Sequence, residues 1–228
     1  MMKNIFLISC LIFTTFAIGQ ANSLELEKEK MKQALAFGDK TVATNAMYNI
    51  IAAEGAMSTY KDSLAYLYFN SRNYVSCFLV TNDIISRKPE NLELLEMNAI
   101  SLESMGALEK ASEAYANLLA KTSNNYHGYK LAGLQFGAKK FDEALVTIKK
   151  ADQLPDDGAI KVNFQVNKNY NQNVDLKAAI AYLEGMISLG LKKDKEAITA
   201  FERAVKVFPD FVLAKSKITT LAVPEEEK

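Results

Sequence analysis

Few side chains in this sequence could carry out chemistry, and their spacing fits no common catalytic or metal site. His127 is the only histidine, so a zinc site with several histidine ligands is excluded. Asp152, Asp156 and Asp157 lie near one turn but lack the spaced acidic loop that binds calcium. The sequence also has no glycine-rich phosphate loop and no nucleophile elbow. We therefore expect a protein that is not an enzyme and that needs no metal or other cofactor.

The composition favours a helical protein that does not bind nucleic acid. The chain has 27 lysine and arginine residues and 27 aspartate and glutamate residues, so it lacks the basic excess that phosphate binding requires. It has only four prolines and ten glycines in 228 residues. Because both residues interrupt helices, these low counts favour helices over a turn-rich β fold.

The first 19 residues have the features of a signal peptide. Lys3 precedes an apolar run over 5–18, and Ala17-Ile18-Gly19 places small residues where a signal peptidase cleaves. The run is shorter than the ~20 residues of a membrane-spanning helix. We expect cleavage of 1–19 and export to the periplasm or surface of a Gram-negative bacterium, with no remaining membrane span. Cleavage after Ala21, an uncleaved anchor and lipidation of Cys10 are the alternatives.

Small residues recur along the rest of the chain at a nearly constant interval. They are Ala43, Cys77, Ala111, Ala144 and Ala197, which are 34, 34, 33 and 53 residues apart. Bulky residues follow most of them after four and seven positions, so each set lies along one helix face. A second helix precedes each set and carries its own small residue, at Ala65, Ala99, Ala132 and Gly185 in the last four units. The pattern predicts helix pairs at 24–57, 58–91, 92–124, 125–157 and 178–211, a capping helix at 210–221 and a flexible tail at 222–228.

This pattern resembles the tetratricopeptide repeat (TPR) family over residues 24–221. The resemblance implies an all-α fold, a right-handed solenoid of about five helix pairs plus a C-terminal capping helix. The small residues named above match the family's positions of contact between the two helices of a pair. The first unit departs from the family pattern, because Lys30-Met31 replaces the expected Leu-Gly or Leu-Ala.

The last interval exceeds 34 residues by 19, which predicts an insertion at 158–177. Within it, Ile160, Val162, Phe164 and Val166 alternate with polar residues and would share one face of a strand. We expect a short extended, β-like segment near 160–173, either a single arm or a loose hairpin, that covers the joint between the fourth and fifth units. A partner-binding strand edge and a divergent extra helix are the alternatives.

The family resemblance also implies a concave groove lined by the first helix of each pair. The matching positions are Asp62, Tyr66, Phe69, Glu93, Glu96, Ile100, Glu103, Tyr126, Tyr129, Phe136, Tyr182 and Met186. Such an aromatic and acidic surface would suit an extended segment with apolar and basic residues. The resemblance therefore implies a scaffold of the cell envelope that binds a protein or peptide. The alternative is a small-ligand or glycan-binding component of an outer-membrane uptake system, with a pocket over Tyr126, Tyr129 and Tyr182.

Overall fold

The computed structural model describes residues 23–222, which form two compact units divided between Met105 and Gly106. The predicted signal peptide and all but the first residue of the predicted tail lie outside the described residues. Within those residues the chain is helical apart from one small sheet, so the predicted all-α fold of helix pairs is confirmed. None of the described helices is both long enough and apolar enough to span a membrane.

The N-terminal unit contains five helices. They are α1 (23–36), α2 (Lys40–Glu54), α3 (Tyr60–Asn70), α4 (Tyr74–Ile85) and α5 (Leu92–Ser104). Three of these helices are preceded by a residue whose side chain accepts a backbone N–H bond from the first turn. These residues are Asp39 before α2, Asn73 before α4 and Asn91 before α5. Helix α4 ends four residues before Pro89, which cannot continue a helix.

The C-terminal unit contains six helices and one hairpin. They are α6 (Leu108–Thr122), α7 (Asn125–Gly137), α8 (Phe141–Gln153), β1 (Lys161–Asn167), β2 (Tyr170–Asp175), α9 (Leu176–Gly190), α10 (Asp194–Val207) and α11 (Val212–Ala222). The division between the two units falls in the link between α5 and α6, within the third predicted repeat.

The turns that join the two helices of each pair recur at the same interval as the small residues. Each contains one residue in the left-handed region: Gly38, Arg72, Gly106, Lys139 and Lys192. Three of these are not glycine, although a side chain is disfavoured in this conformation. The residue after each of the three donates to a carbonyl oxygen five residues back, as Asn73 does to Tyr68 at 2.9 Å. These bonds satisfy carbonyls at the helix end and thereby stabilise the turn.

The small residues that define the repeat are buried. Ala43, Ala65, Cys77, Ala99, Ala111, Ala132, Ala144 and Ala197 have no solvent exposure. Gly185 is also buried, and a Cβ atom there would lie 2.5 Å from the Phe201 ring. Where both helices of a pair lie in the same unit, a larger side chain at these positions would force the two helices apart.

The insertion forms an antiparallel hairpin rather than an extra helix. Its register pairs Val162 with Val174 and Phe164 with Gln172, so these four side chains share one face. Val162 packs against the core of α7, α8 and α9, while Phe164 packs with Val174 and residues of α9, α10 and α11. The hairpin therefore covers core residues from both of the last two helix pairs. The interpretation as a structural cover matches this packing.

The capping helix begins two residues later than the sequence indicates. The prediction placed Asp210 at the helix start, but α11 begins at Val212. Gln172 of the hairpin takes the capping role, because its Oε1 accepts from the Val212 N–H at 3.1 Å. Its Nε2 donates to the Asp210 carbonyl at 2.5 Å. At the other end of the hairpin, α9 begins at Leu176, one residue before the predicted end of the insertion at 177.

Candidate functional site

Seven of the predicted groove residues lie on two helices of the N-terminal unit that contact each other, α3 and α5. Their spacing along each helix is close to whole turns, which places each set on one face. Six of the seven side chains are half-buried and Glu93 is exposed. The seven residues are Asp62, Tyr66 and Phe69 on α3 and Glu93, Glu96, Ile100 and Glu103 on α5.

A recess of about 310 Å³ lies between these two helices. Its lining residues are Tyr66, Phe69, Asn70, Glu93, Glu96, Met97 and Ile100. Five of them belong to the predicted groove, so the structure brings these five side chains together. Sequence reasoning missed Asn70 and Met97. Each directly follows a predicted residue, and a helical face about 100° wide extends to adjacent positions.

Tyr66 and Glu93 interact on the polar side of the recess. The pKa of Tyr66 is raised to about 12, and the largest cause is a hydrogen bond from its hydroxyl to the Glu93 carboxylate. Burial and the charges of Glu93 and Asp62 raise the pKa in the same direction. Tyr66 therefore stays a neutral donor at physiological pH.

The two remaining predicted residues of this unit lie outside the lining of the recess. Asp62 pairs with Lys88 at 3.9 Å, between a carboxylate oxygen and the lysine Nζ. Glu103 lies half-buried one helical turn beyond Ile100. The apolar walls of the recess, formed by Phe69, Met97 and Ile100, thus have carboxylates beside them but no lysine or arginine among the lining residues.

The predicted residues of the C-terminal unit pack against its core. Tyr126, Tyr129 and Phe136 of α7 are half-buried against the cluster that includes Ala132 and Ile148. Tyr182 lies in a separate aromatic cluster, where its ring centroid is 5.5 Å from Phe164, 5.4 Å from Phe201 and 5.0 Å from Phe211. Burial raises the pKa of Tyr182. Met186 of α9 is half-buried.

Cys77 and His127, the two side chains that could be reactive, are both buried in the structure. Burial raises the pKa of the Cys77 thiol, so the thiol stays protonated and unreactive. His127 is buried in the first turn of α7, with Nδ1 2.9 Å from Thr122 Oγ1. Within residues 23–222, no group of three or more histidine, cysteine, aspartate or glutamate side chains is placed to hold a metal ion.

Solved structures with similar helix arrangements identify the architecture. YrrB, described as a TPR protein with an unusual peptide-binding site, aligns with a TM-score of 0.64 at 14% identity, over 86% of this chain and 96% of YrrB. A MamA crystal structure aligns with a TM-score of 0.62 at 12% identity, over 90% of this chain and 98% of MamA. The chain has the tetratricopeptide-repeat fold. MamA from Desulfovibrio magneticus RS-1 aligns at 12% identity with a TM-score of 0.61, over 83% of this chain and 97% of its own.

The likeness to these TPR structures concerns the fold alone, because the identities are low and a fold hosts many functions. No protein-family model matches the sequence, and no curated protein matches it. In TPR terms, α3 and α5 are the first helices of two successive repeats, and the recess lies between them. The candidate site is therefore formed by the first helices of two successive repeats, both within the N-terminal unit, with apolar walls and a carboxylate edge.

Proposed function

We propose that this protein is a non-catalytic TPR scaffold that binds an extended segment of a protein partner in the recess between α3 and α5. The observation that carries the proposal is the convergence of Tyr66, Phe69, Glu93, Glu96 and Ile100 on one recess. An aromatic ring and an aliphatic side chain form the apolar contacts that dominate binding energy in interfaces. The recess volume of about 310 Å³ matches a few side chains rather than a whole domain.

The charge of the recess determines which segment would bind. Two carboxylates and no basic side chain lie among the lining residues. A partner segment with an apolar residue next to lysine or arginine would fill the apolar walls and complement this charge. YrrB, which has a similar fold, is described as having a peptide-binding site, and this supports a peptide-binding role here.

We expect Phe69→Ala and Ile100→Ser each to weaken peptide binding about tenfold or more, because each removes apolar contact within the recess. The measurement uses an array of nine-residue peptides in which apolar, basic, acidic and amide residues are varied, followed by fluorescence anisotropy with the best binder. The wild-type protein should prefer peptides that combine apolar and basic residues, and this preference should weaken as salt is added.

The matched control for this experiment is Phe37→Ala. Phe37 is 85% exposed and lies outside the lining of the recess, so its loss should leave binding unchanged. Circular dichroism would establish that each variant is folded. Wild-type affinity in both recess variants would contradict the proposal, as would an array with no preference for basic over acidic peptides.

We also propose that the scaffold acts in the cell envelope of a Gram-negative bacterium. The support is the N-terminal sequence, with Lys3, the apolar run over 5–18 and small residues at 17 and 19. When the full sequence is expressed in a Gram-negative host, the protein should appear in the periplasmic fraction with Gln20 as its first residue. Leu7→Arg should keep it uncleaved in the cytoplasm, because a charge interrupts the apolar run. N-terminal sequencing of both proteins tests this, and an intact Met1 on the exported wild-type protein would contradict cleavage.

A further inference from the structure

A second recess, in the C-terminal unit, differs in charge from the recess between α3 and α5. It has a volume of about 300 Å³ and lies between α8, α9 and α10. Leu145 and Ala200 supply apolar surface within it, and its lining contains four basic and two acidic residues. None of the residues predicted from the sequence to form the groove lines this recess.

Three of the four basic side chains in this lining are not neutralised. Lys149 lies on α8, Lys193 in the link between α9 and α10, and Lys195 on α10. Within residues 23–222 none of these three lysines forms an ion pair. The fourth basic residue, Arg203, is held by the carboxylate of Glu184 at 2.5 Å. Three lysine charges from different parts of the unit therefore line one recess without a counter-charge bonded to them.

Solvated lysines need no partner, so the deciding feature is a buried serine in the same lining. Ser188 of α9 is 2% exposed, and its hydroxyl makes no hydrogen bond within the described residues. Ser101 and Thr122, by contrast, donate to the carbonyl four residues back in their helices. The Ser188 hydroxyl is not sealed off, because the sealed and unbonded side-chain atoms of the described chain belong to Asn125 and Gln135. Since buried polar groups generally have a partner, this hydroxyl is available to a group that enters the recess.

We propose that this recess binds a glutamate side chain of a protein partner. The carboxylate of the glutamate accepts from the Ser188 hydroxyl and from the lysine ammonium groups, and its methylene groups contact Leu145 and Ala200. Hydrogen bonds to a charged acceptor are the stronger ones, and this lining offers several donors to one carboxylate. A basic side chain would meet three unneutralised lysines, and a purely apolar one would leave Ser188 without a partner.

This site goes beyond the proposed function, because it has no residue in common with the recess between α3 and α5 and selects the opposite charge. The recess between α3 and α5 suits a segment with apolar and basic residues, whereas this one suits an acidic segment. The two sites are therefore tested with different peptides, and either proposal can fail without the other.

The probe is a five-residue peptide with blocked ends and a glutamate at its centre between leucines. Two matched peptides replace the glutamate with glutamine, which keeps the shape without the charge, or with lysine, which reverses the charge. Each is titrated into the ¹⁵N-labelled full chain, and NMR follows the backbone amide shifts of Ser188, Lys193 and Lys195. Inorganic phosphate alone forms a further arm of the experiment.

We expect the glutamate peptide to shift these amides and to bind about fivefold or more tightly than the glutamine peptide, with no binding of the lysine peptide. Ser188→Ala, which removes only the hydroxyl, should weaken glutamate binding about fivefold or more. Lys195→Gln should reduce the preference for glutamate over glutamine. Lys206→Gln removes the same charge from α10 outside the lining and should leave binding unchanged, as should Phe69→Ala in the other recess.

Three results would overturn the proposal. The first is equal affinity for the glutamate and glutamine peptides. The second is the same set of shifts with inorganic phosphate at the same concentration, which would make the recess a site for any small anion. The third is a set of shifts that appears when Glu225, Glu226 and Glu227 are replaced by glutamine but not when peptide is added, which would assign the recess to the chain's own acidic residues. Shifts confined to α3 and α5 would leave the proposed function intact while rejecting this second site.

Discussion

Phe211→Ala is expected to destabilise the C-terminal unit by about 3–5 kcal/mol, the usual cost of removing a fully buried aromatic side chain. Phe211 has no solvent exposure. Its ring centroid lies 5.1 Å from Phe164, 5.0 Å from Tyr182 and 6.3 Å from Phe208. The variant would leave a cavity where the hairpin, α9 and the start of α11 meet.

The measurement is urea unfolding followed by circular dichroism, since the chain has no tryptophan to serve as a fluorescent probe. Phe37→Ala is the matched control, because the same atoms are removed from a side chain that is 85% exposed. It should change the free energy of unfolding by less than about 0.5 kcal/mol. A loss below about 1 kcal/mol for Phe211→Ala would mean that the aromatic cluster is not packed as described.

Gly128→Ala is expected to destabilise the protein by about 1–3 kcal/mol, despite the higher helix propensity of alanine. A Cβ atom at Gly128 would lie 2.7 Å from the Ala151 Cβ and 3.4 Å from the Ala151 Cα. Ala151 has no side-chain torsion that could move its Cβ away. The backbones of α7 and α8 would therefore have to separate along a fully buried contact.

Gly133→Ala, in the same helix, is expected to have the opposite effect on stability. A Cβ at this position would lie 4.0 Å from Leu183 Cδ2, which is an ordinary contact distance. The substitution should stabilise the protein by up to about 1 kcal/mol, because alanine replaces glycine within a helix. Thermal unfolding of both variants measures the contrast, and equal midpoints would show that helix contact does not determine which glycine is required.

The repeat architecture follows from the sequence because close helix contact requires small residues at fixed intervals. Ala144 and Ala197 mark the fourth and fifth units, and both have no solvent exposure in the structure. The hairpin is harder to derive. Alternation of Val162 and Phe164 with polar residues indicates a strand, but nothing local indicates that Gln172 would reach Val212, forty residues along the chain.

The candidate site could be predicted only where a helix face keeps the same neighbours as in a simple repeat. Tyr66 and Phe69 line a recess because α5, the first helix of the next repeat, packs beside α3 within the N-terminal unit. Tyr182 has a corresponding place on α9, but the hairpin brings Phe164 against its ring. Helical spacing gives the direction of a side chain. It does not reveal an element from another part of the chain that covers it.

The hairpin register also limits which insertions and deletions the chain can accept. Gln172 can cap α11 only if Phe164 and Val174 also point inward, because side chains alternate along each strand. Loss or gain of one residue within β2 would turn Gln172 outward and expose an apolar neighbour. Changes of length are therefore tolerable at the exposed turn around 168–169 and not within the strands. On the outer face of the hairpin, the Asn163 side chain donates to the Asn173 side chain at 2.8 Å. Substitutions on this face should not disturb α11.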